Sequence, residues 1–412
     1  MVRRKKSMMD RTALALQYRR LLLDDVVPFW FRHGIDWEHG GVLSCLRDDG
    51  SVASGDKFIW SQARSVWTFS ALYNRVEKRP EFLRAAENSV RFLLRHGRDA
   101  QGRWIYRTGR SGNPIDGAIS IYADCFAVYG LSEYCRAAMN DEALSVAVES
   151  FARIRRRVEE PDFTETAPYP LPPGWRNHGI PMILTEVASE LAQTTGRPEL
   201  ESLADEYAGR VMNHFLRADK GVVLEFLTRD YQELPPPAGT FVMPGHAIES
   251  MWFVMHLARR RGDRRTIERA AEAMRRHLEL GWDTEFGGIF LSRDIGGHKP
   301  YLPHSDKKLW WPHVEALYGT LLVHELTEEP WCLKWYEKVA SWTWSHFPGP
   351  AGEWYQRLTR EGQPTIEVVA LPVKDPFHLP RAAILILQLL EQAHRTGDSA
   401  AKDHQPDAER SA

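Results

Sequence analysis

Three short segments of the chain set a histidine beside Gly or Pro and near a carboxylate or a guanidinium. They are Met243-Pro-Gly-His246-Ala-Ile-Glu249, Leu309-Trp-Trp-Pro-His313-Val-Glu315 and Lys374-Asp-Pro-Phe-His378-Leu-Pro-Arg381. Imidazole changes charge near neutral pH, and a carboxylate held against one ring nitrogen fixes the tautomer and leaves the other nitrogen free to take a proton. In the first segment Pro244 and Gly245 end a loop, so a helix starts near His246 and brings Glu249 to the same face one turn later, where the two can pair. In the third, Arg381 follows His378 by three residues and sets a cation beside a base. His313 stands near Glu315 behind two tryptophans. Any one of these histidines also fits a structural role at a helix start; the three together point to proton transfer. A metal held by His246, His313 and His378 is the competing reading, but nothing in the spacings asks for it, so neither metal nor required cofactor is expected.

Other chemistries lack their marks. The chain has no P-loop, no GxGxxG after a strand, no GxSxG elbow and no HExxH, which removes the usual signatures of nucleotide hydrolysis, dinucleotide-dependent hydride transfer, serine hydrolysis and zinc proteolysis.

The elements that must position these groups show in the turns. A turn of the form Asp, one to three residues, Gly and an apolar residue recurs at Asp36-Trp-Glu-His-Gly-Gly-Val42, Asp99-Ala-Gln-Gly-Arg-Trp104, Asp219-Lys-Gly-Val222, Asp283-Thr-Glu-Phe-Gly-Gly-Ile289 and, more loosely, Gly349-Pro-Ala-Gly-Glu-Trp354. The steps are roughly sixty to sixty-five residues, with one double gap where a degenerate copy falls near Asp162. Between the turns, apolar residues recur at helical spacing, as at Trp60, Ala63, Trp67 and Ala71, and each unit holds about two helices. Six helix pairs closing into an (α/α)6 barrel, all-α with short β-hairpins in the loops at one end, is the fold this predicts; an open superhelical stack is the alternative. The barrel spans residues 10–395, and a polar tail over 396–412 has little to bury and is expected to be disordered. Two Pro-rich segments, 165–174 and 233–240, break any helix there and lie just ahead of histidine-bearing stretches.

Composition narrows the partner. The formal charge is -2 and charged residues make up 26%, which argues against a nucleic-acid surface, and fifteen Trp suit a concave wall for a polar ligand such as a sugar. Cys45, Cys125, Cys135 and Cys332 show neither CxxC pairing nor metal spacing, as expected of reduced thiols in the cytoplasm. The basic first twenty residues lack the apolar run of a signal peptide, and no segment has the apolar length to span a bilayer.

Asp36-Trp-Glu-His-Gly-Gly41, Lys57-Phe-Ile-Trp-Ser-Gln-Ala-Arg64-Ser-Val-Trp67, Pro244-Gly-His-Ala-Ile-Glu249, Lys308-Leu-Trp-Trp-Pro-His-Val-Glu315 and Phe377-His-Leu-Pro-Arg381 closely resemble, in order, segments of the N-acylglucosamine 2-epimerase family. The resemblance runs from about residue 15 to about residue 392. It implies an (α/α)6 barrel, often homodimeric, with His246 and His378 as an acid/base pair on opposite faces of the substrate and Arg64 near the carbonyl oxygen. It further implies supporting roles for Glu249 and Arg381, and a pocket wall that includes Tyr122, Trp311, His313 and Glu315. At Arg176-Asn-His-Gly-Ile-Pro-Met-Ile-Leu184 the chain departs from the cellobiose 2-epimerases, with Pro181, Met182 and Ile183 where those carry an extra histidine close to a Leu-Glu pair; Asn177 and His178 are pocket candidates there. The implied reaction interconverts N-acetyl-D-glucosamine and N-acetyl-D-mannosamine through loss and return of the C2 proton of the ring-opened sugar. A D-mannose/D-glucose 2-epimerase or a mannose–fructose type aldose–ketose isomerase would use the same residues. A glycoside hydrolase or a non-catalytic binding protein on the same barrel are the readings of another class. A nucleotide effector occurs in some relatives but has no support in this sequence.

Overall fold

A computed structural model of the protein describes residues 9–402. Its long helices fall into six consecutive pairs, an outer helix followed by an inner one. The outer set is α1 (Arg11–Arg20, prolonged to Gly34 by the wider turns Leu21–Val26 and Trp30–Gly34), α3 (Pro80–His96), α5 (Asp141–Arg157), α7 (Pro198–Arg210), α9 (Arg264–Gly281) and α11 (Pro330–His346). The inner set is α2 (Ile59–Ala71), α4 (Ile121–Ala138), α6 (Gly179–Thr195), α8 (Pro244–Arg261), α10 (Trp310–Thr327) and α12 (His378–Lys402). Each inner helix packs on the next, α12 returns to α2, and α1 lies on α12, so the ring is closed and the chain's first and last helices meet. This is the expected (α/α)6 barrel; the open stack is excluded. The segment expected as a tail begins inside α12, and 403–412 lie outside the described residues. No described helix is long and apolar enough to cross a membrane.

Burial follows the sequence pattern of each set. In α4 every residue from Ala123 to Cys135 is buried, whereas α3 buries a stripe that includes Phe82, Ala85, Ala86, Ser89, Val90 and Leu93. A helix apolar on all sides belongs inside the ring, and a striped one belongs between the ring and water.

The two ends of the barrel differ in how helices begin. Every outer helix starts with its own stop for the exposed backbone. α3, α7 and α11 open on Pro, while Asp10, Asn140 and Asp263 accept the backbone N–H of Ala13, Ala143 and Thr266 at 3.0, 2.8 and 3.0 Å. Among the described residues α2, α4, α6 and α10 carry neither a side-chain cap nor an opening Pro, and α8 carries Pro244 alone, so the positive ends of their dipoles are left facing the other mouth of the barrel.

That mouth is built from the recurring turns, which follow the outer helices. Small antiparallel pairings close them at Ile35 with Val42, Arg98 with Trp104, Leu216–Arg217 with Val222–Val223, Trp282 with Ile289 and Pro348 with Trp354. The degenerate sixth copy turns at Pro161 and Asp162, then runs on until Thr166 pairs with Ser120. Two of the turns carry the same buried latch. Asp36 accepts from Lys57 Nζ and Arg110 Nε, both at 2.9 Å; Asp283 accepts from Lys308 Nζ at 3.0 Å and Arg360 Nε at 2.9 Å. Gly40 and Gly41 in the first turn, and Gly287 and Gly288 in the second, adopt positive φ, and the carbonyls of Gly40 and Gly287 accept from the same lysines at 2.6 and 2.8 Å. Lys57 and Lys308 stand just ahead of inner helices α2 and α10, so each latch sets where a site-bearing helix begins.

Because both lysine side chains are fully buried, removing the aspartate strands a cation. Asp36→Ala and Asp283→Ala are each expected to cost about 3–5 kcal/mol in urea unfolding; losses under about 1 kcal/mol would rule the latch out as a structural support.

Candidate active site

The first turns of all six inner helices meet in one funnel. Trp60 and Arg64 come from α2, Tyr122 and Phe126 from α4, Met182 from α6, His246 and Glu249 from α8, Trp310 and Trp311 from α10, and His378 from α12. The Pro-rich segment 165–174 adds Thr166, Pro168 and Tyr169 to the wall, while 233–240 leads into the strand Phe241–Val242, which pairs with Arg293–Asp294. Pro244 suits the first position of α8, and Gly245 permits its close approach to α10, since a Cβ there would lie 2.6 Å from the Trp311 ring. The Trp311 indole in consequence touches both imidazoles, 5.2 Å from the His246 ring and 5.7 Å from that of His378, centre to centre.

Each imidazole is oriented by its own carboxylate. His246 Nδ1 bonds Glu225 Oε1 at 3.1 Å, and His378 Nδ1 bonds Glu315 Oε1 at 2.8 Å. The expected pairing of His246 with Glu249 does not form. Glu249 is taken by Arg381, whose Nη2 donates to it and also to Glu315 Oε1 at 2.7 Å; a buried guanidinium is the stronger claimant on a carboxylate than a partly exposed imidazole. Glu315 also accepts from Trp252 Nε1 at 2.9 Å, and both it and Arg381 stand behind the funnel wall.

Arg64 donates to Asp375 at 3.0 Å and lies over the Phe126 ring at 4.0 Å, with its side chain on the funnel. Tyr122 donates its hydroxyl to Asn177 Oδ1 at 3.0 Å, and Asn177 Nδ2 reaches Glu225 at 3.4 Å, so a polar chain runs from Tyr122 to His246. Two of the expected wall residues are corrected, Glu315, which stands behind the wall, and His313. His313 is fully buried away from the funnel, its Nε2 accepting the Ile289 N–H at 2.8 Å and its Nδ1 donating to Leu309 O at 2.6 Å. Bonding back to the carbonyl four residues earlier turns the ring into the packing around Trp342, on which it stacks at 5.0 Å. With His313 so placed, the metal reading of His246, His313 and His378 has no geometry behind it. A hydrolase's opposed carboxylates are not formed by Glu249 and Glu315 either, since both hold one guanidinium.

Glu225 and Asp375 are the functional-site residues that sequence reasoning missed. Asp375 lay in plain view three residues before His378. Glu225 carried little signal, a single carboxylate closing the apolar run Gly221-Val-Val-Leu-Glu225 behind the Asp219 turn.

The surroundings drive the two histidines apart. For His246, burial works to lower the pKa, but the Glu225 carboxylate outweighs it and holds the imidazole above its ordinary value. For His378, burial and the nearby Arg64 cation hold it well below that value, against the pull of Glu249. Glu225 itself is pulled down to about 2, the two imidazoles at its side overcoming the cost of its burial.

A ring of six helix pairs with imidazoles at its mouth defines a class of α/α-barrel enzymes that work on sugars, and the comparisons with known proteins narrow it. The family model for N-acylglucosamine 2-epimerase (GlcNAc 2-epimerase) matches residues 41–382, and the chain belongs to that family. The N-acylglucosamine 2-epimerase of Bos taurus is 32% identical over 382 residues, covering 89% of each chain; that of Homo sapiens is 32% identical over 381 residues, covering 89% of this chain and 88% of its own. Among solved structures, the cellobiose 2-epimerase of Bacillus thermoamylovorans B4167 superposes with a TM-score of 0.79 at 22% identity, covering 92% of this chain and all of that one, and shares the fold. The protein is thus an enzyme of the isomerase class, and its relatives are sugar epimerases and isomerases.

Glu225→Gln removes the charge that holds His246 up. In an NMR titration of the ring protons, the His246 pKa is expected to fall below that of the parent protein; an unchanged or higher value would show that Glu225 does not set it.

Proposed function

We propose that the protein is a sugar 2-epimerase that interconverts N-acetyl-D-glucosamine and N-acetyl-D-mannosamine. The observation that carries this reading is a pair of imidazoles on one funnel, each oriented by its own carboxylate, with Glu225 pushing the pKa of His246 up while burial and Arg64 push that of His378 down. Epimerisation needs that asymmetry, because one group must take a proton while another gives one. A C–H bond is far too weak an acid for imidazole unless an adjacent carbonyl takes up the charge, so the sugar reacts in its open form. His378, neutral and with Nδ1 donating to Glu315, offers Nε2 as the base at C2. His246, protonated and backed by Glu225, delivers a proton from the other face. The roles exchange in the reverse direction.

Charge developing on the aldehyde oxygen meets Arg64 and the positive ends of the inner helices, in a site walled by aromatic rings that keep water away. Trp311, Tyr122 and Asn177 supply flat and polar surfaces for the sugar, and Glu249, Glu315 and Arg381 hold the bases in place. The N-acetylated substrate is favoured by the bovine and human relatives, which are named for it. The chemistry takes a proton from carbon and returns it, so it calls for no redox or metal cofactor. Buried, unpaired cysteines and a near-neutral charge support a cytoplasmic enzyme, and the homodimer implied by the resemblance belongs to the same reading.

Incubation of the enzyme in heavy water with each sugar tests the reaction. Deuterium is expected at C2 of the N-acetylated pair alone; label in free mannose and glucose, or a ketose product, would reassign the substrate or the reaction. His378→Ala is expected to slow exchange by at least about a hundredfold with the fold intact by circular dichroism, and near-normal exchange would remove His378 from the chemistry. The kcat/KM profile is expected to be bell-shaped. Its acid limb lies below pH 6.5, where the low-pKa His378 protonates, and its alkaline limb lies above pH 6.5, where His246 loses its proton.

A further inference from the structure

Behind His246 the structure holds a second imidazole that the proton-transfer scheme does not use. His178 precedes α6, is fully buried, and neither of its ring nitrogens has a hydrogen-bond partner. Its nearest charged neighbour is Glu225, with Nδ1 3.6 Å from Oε2, while the other oxygen of that carboxylate is the one bonded to His246 Nδ1. One nitrogen from each histidine and one oxygen of Glu225 lie within 4.8 Å of one another. A buried imidazole whose carboxylate neighbour stands just beyond hydrogen-bond length is under-satisfied, and a ligand held between the two would complete both.

The cluster is also rigid. The His178 N–H donates to the Glu225 carbonyl at 2.9 Å, and the Glu225 N–H donates to the Phe241 carbonyl at 3.1 Å, which fixes the carboxylate between the two rings. Two imidazole nitrogens and one carboxylate oxygen form a donor set suited to zinc and its borderline neighbours, and a wall that reaches the funnel leaves a fourth position for water. A cation can reach the cluster through the funnel, since both Glu225 and His246 line it.

We propose that His178, Glu225 and His246 form a binding site for a divalent transition-metal ion such as Zn2+, and that occupancy switches the enzyme off. The ion takes the Nδ1 lone pair of His246, and the proton that nitrogen carried is released to solvent. His246 is then fixed by the metal and can no longer cycle a proton at its other nitrogen. Binding concerns these three side chains alone. Inhibition rests in addition on the reading of His246 as an acid/base group, so the two are measured separately.

Zinc chloride titrated calorimetrically into chelator-treated full-length protein is expected to show one ion per chain. His178→Ala and His178→Gln are each expected to weaken it by at least about tenfold, while His378→Ala, which leaves the cluster whole, keeps it. The glutamine variant preserves bulk at the buried position should the alanine variant not fold. Absence of binding in the parent protein, or binding unchanged in the folded His178 variant, overturns the site. Zinc is also expected to suppress C2 deuterium exchange in the parent at concentrations about tenfold below those needed in the His178 variant. Binding without that suppression would leave the site standing and overturn the switch.

Discussion

The guanidinium of Arg381 is the interaction on which the catalytic end of the barrel depends. It is almost wholly buried on the closing helix, packed 4.5 Å from the Phe377 ring and 5.0 Å from that of Trp252, and it is shared by Glu249 of α8 and Glu315 of α10. Two carboxylates at this depth repel one another and resist ionisation unless a cation lies between them. Burial pushes the Glu315 carboxyl up and Arg381 pulls it back; Glu315 bonds His378 Nδ1, and three inner helices are drawn to a common point. All three histidine-bearing segments of the sequence are joined by this one side chain.

The site otherwise works by making two identical side chains unlike. His246 leans on a carboxylate that pushes its pKa up; His378 is deeper, shares its carboxylate with Arg381 and sits near Arg64, and burial with that cation pushes its pKa down. The barrel contributes the rest of the field. Inner helices without side-chain caps turn their positive ends to the funnel, while three of the outer helices are capped by Asp or Asn and the other three open on Pro.

Much of this was legible in the chain. The spacing of the Asp and Gly turns marks the ring of six pairs because each turn answers to the same geometric demand, a reversal from an outer helix into an inner one. Pro244, Gly245 and His246 announce a helix start facing a ligand because Pro and Gly there have few other uses. What was not legible is pairing across the ring. Glu249 has the right spacing for His246, yet its partner comes from a residue 132 positions away, and Glu225 reaches His246 from a loop that carries no motif. His313 sits in a segment as suggestive as the others, but a hydrogen bond to its own backbone decides its direction, and local sequence does not show which way a ring will turn.

The closure of the ring has a consequence for how the molecule is made. α12 clasps α1, closes against α2 and carries His378 at its head. A chain leaving the ribosome amino end first must therefore hold α1 without its α12 partner until that last helix has emerged, an interval on the order of tens of seconds at ordinary translation speed. Sealing of the barrel and the arrival of His378 at the funnel then fall in a single event.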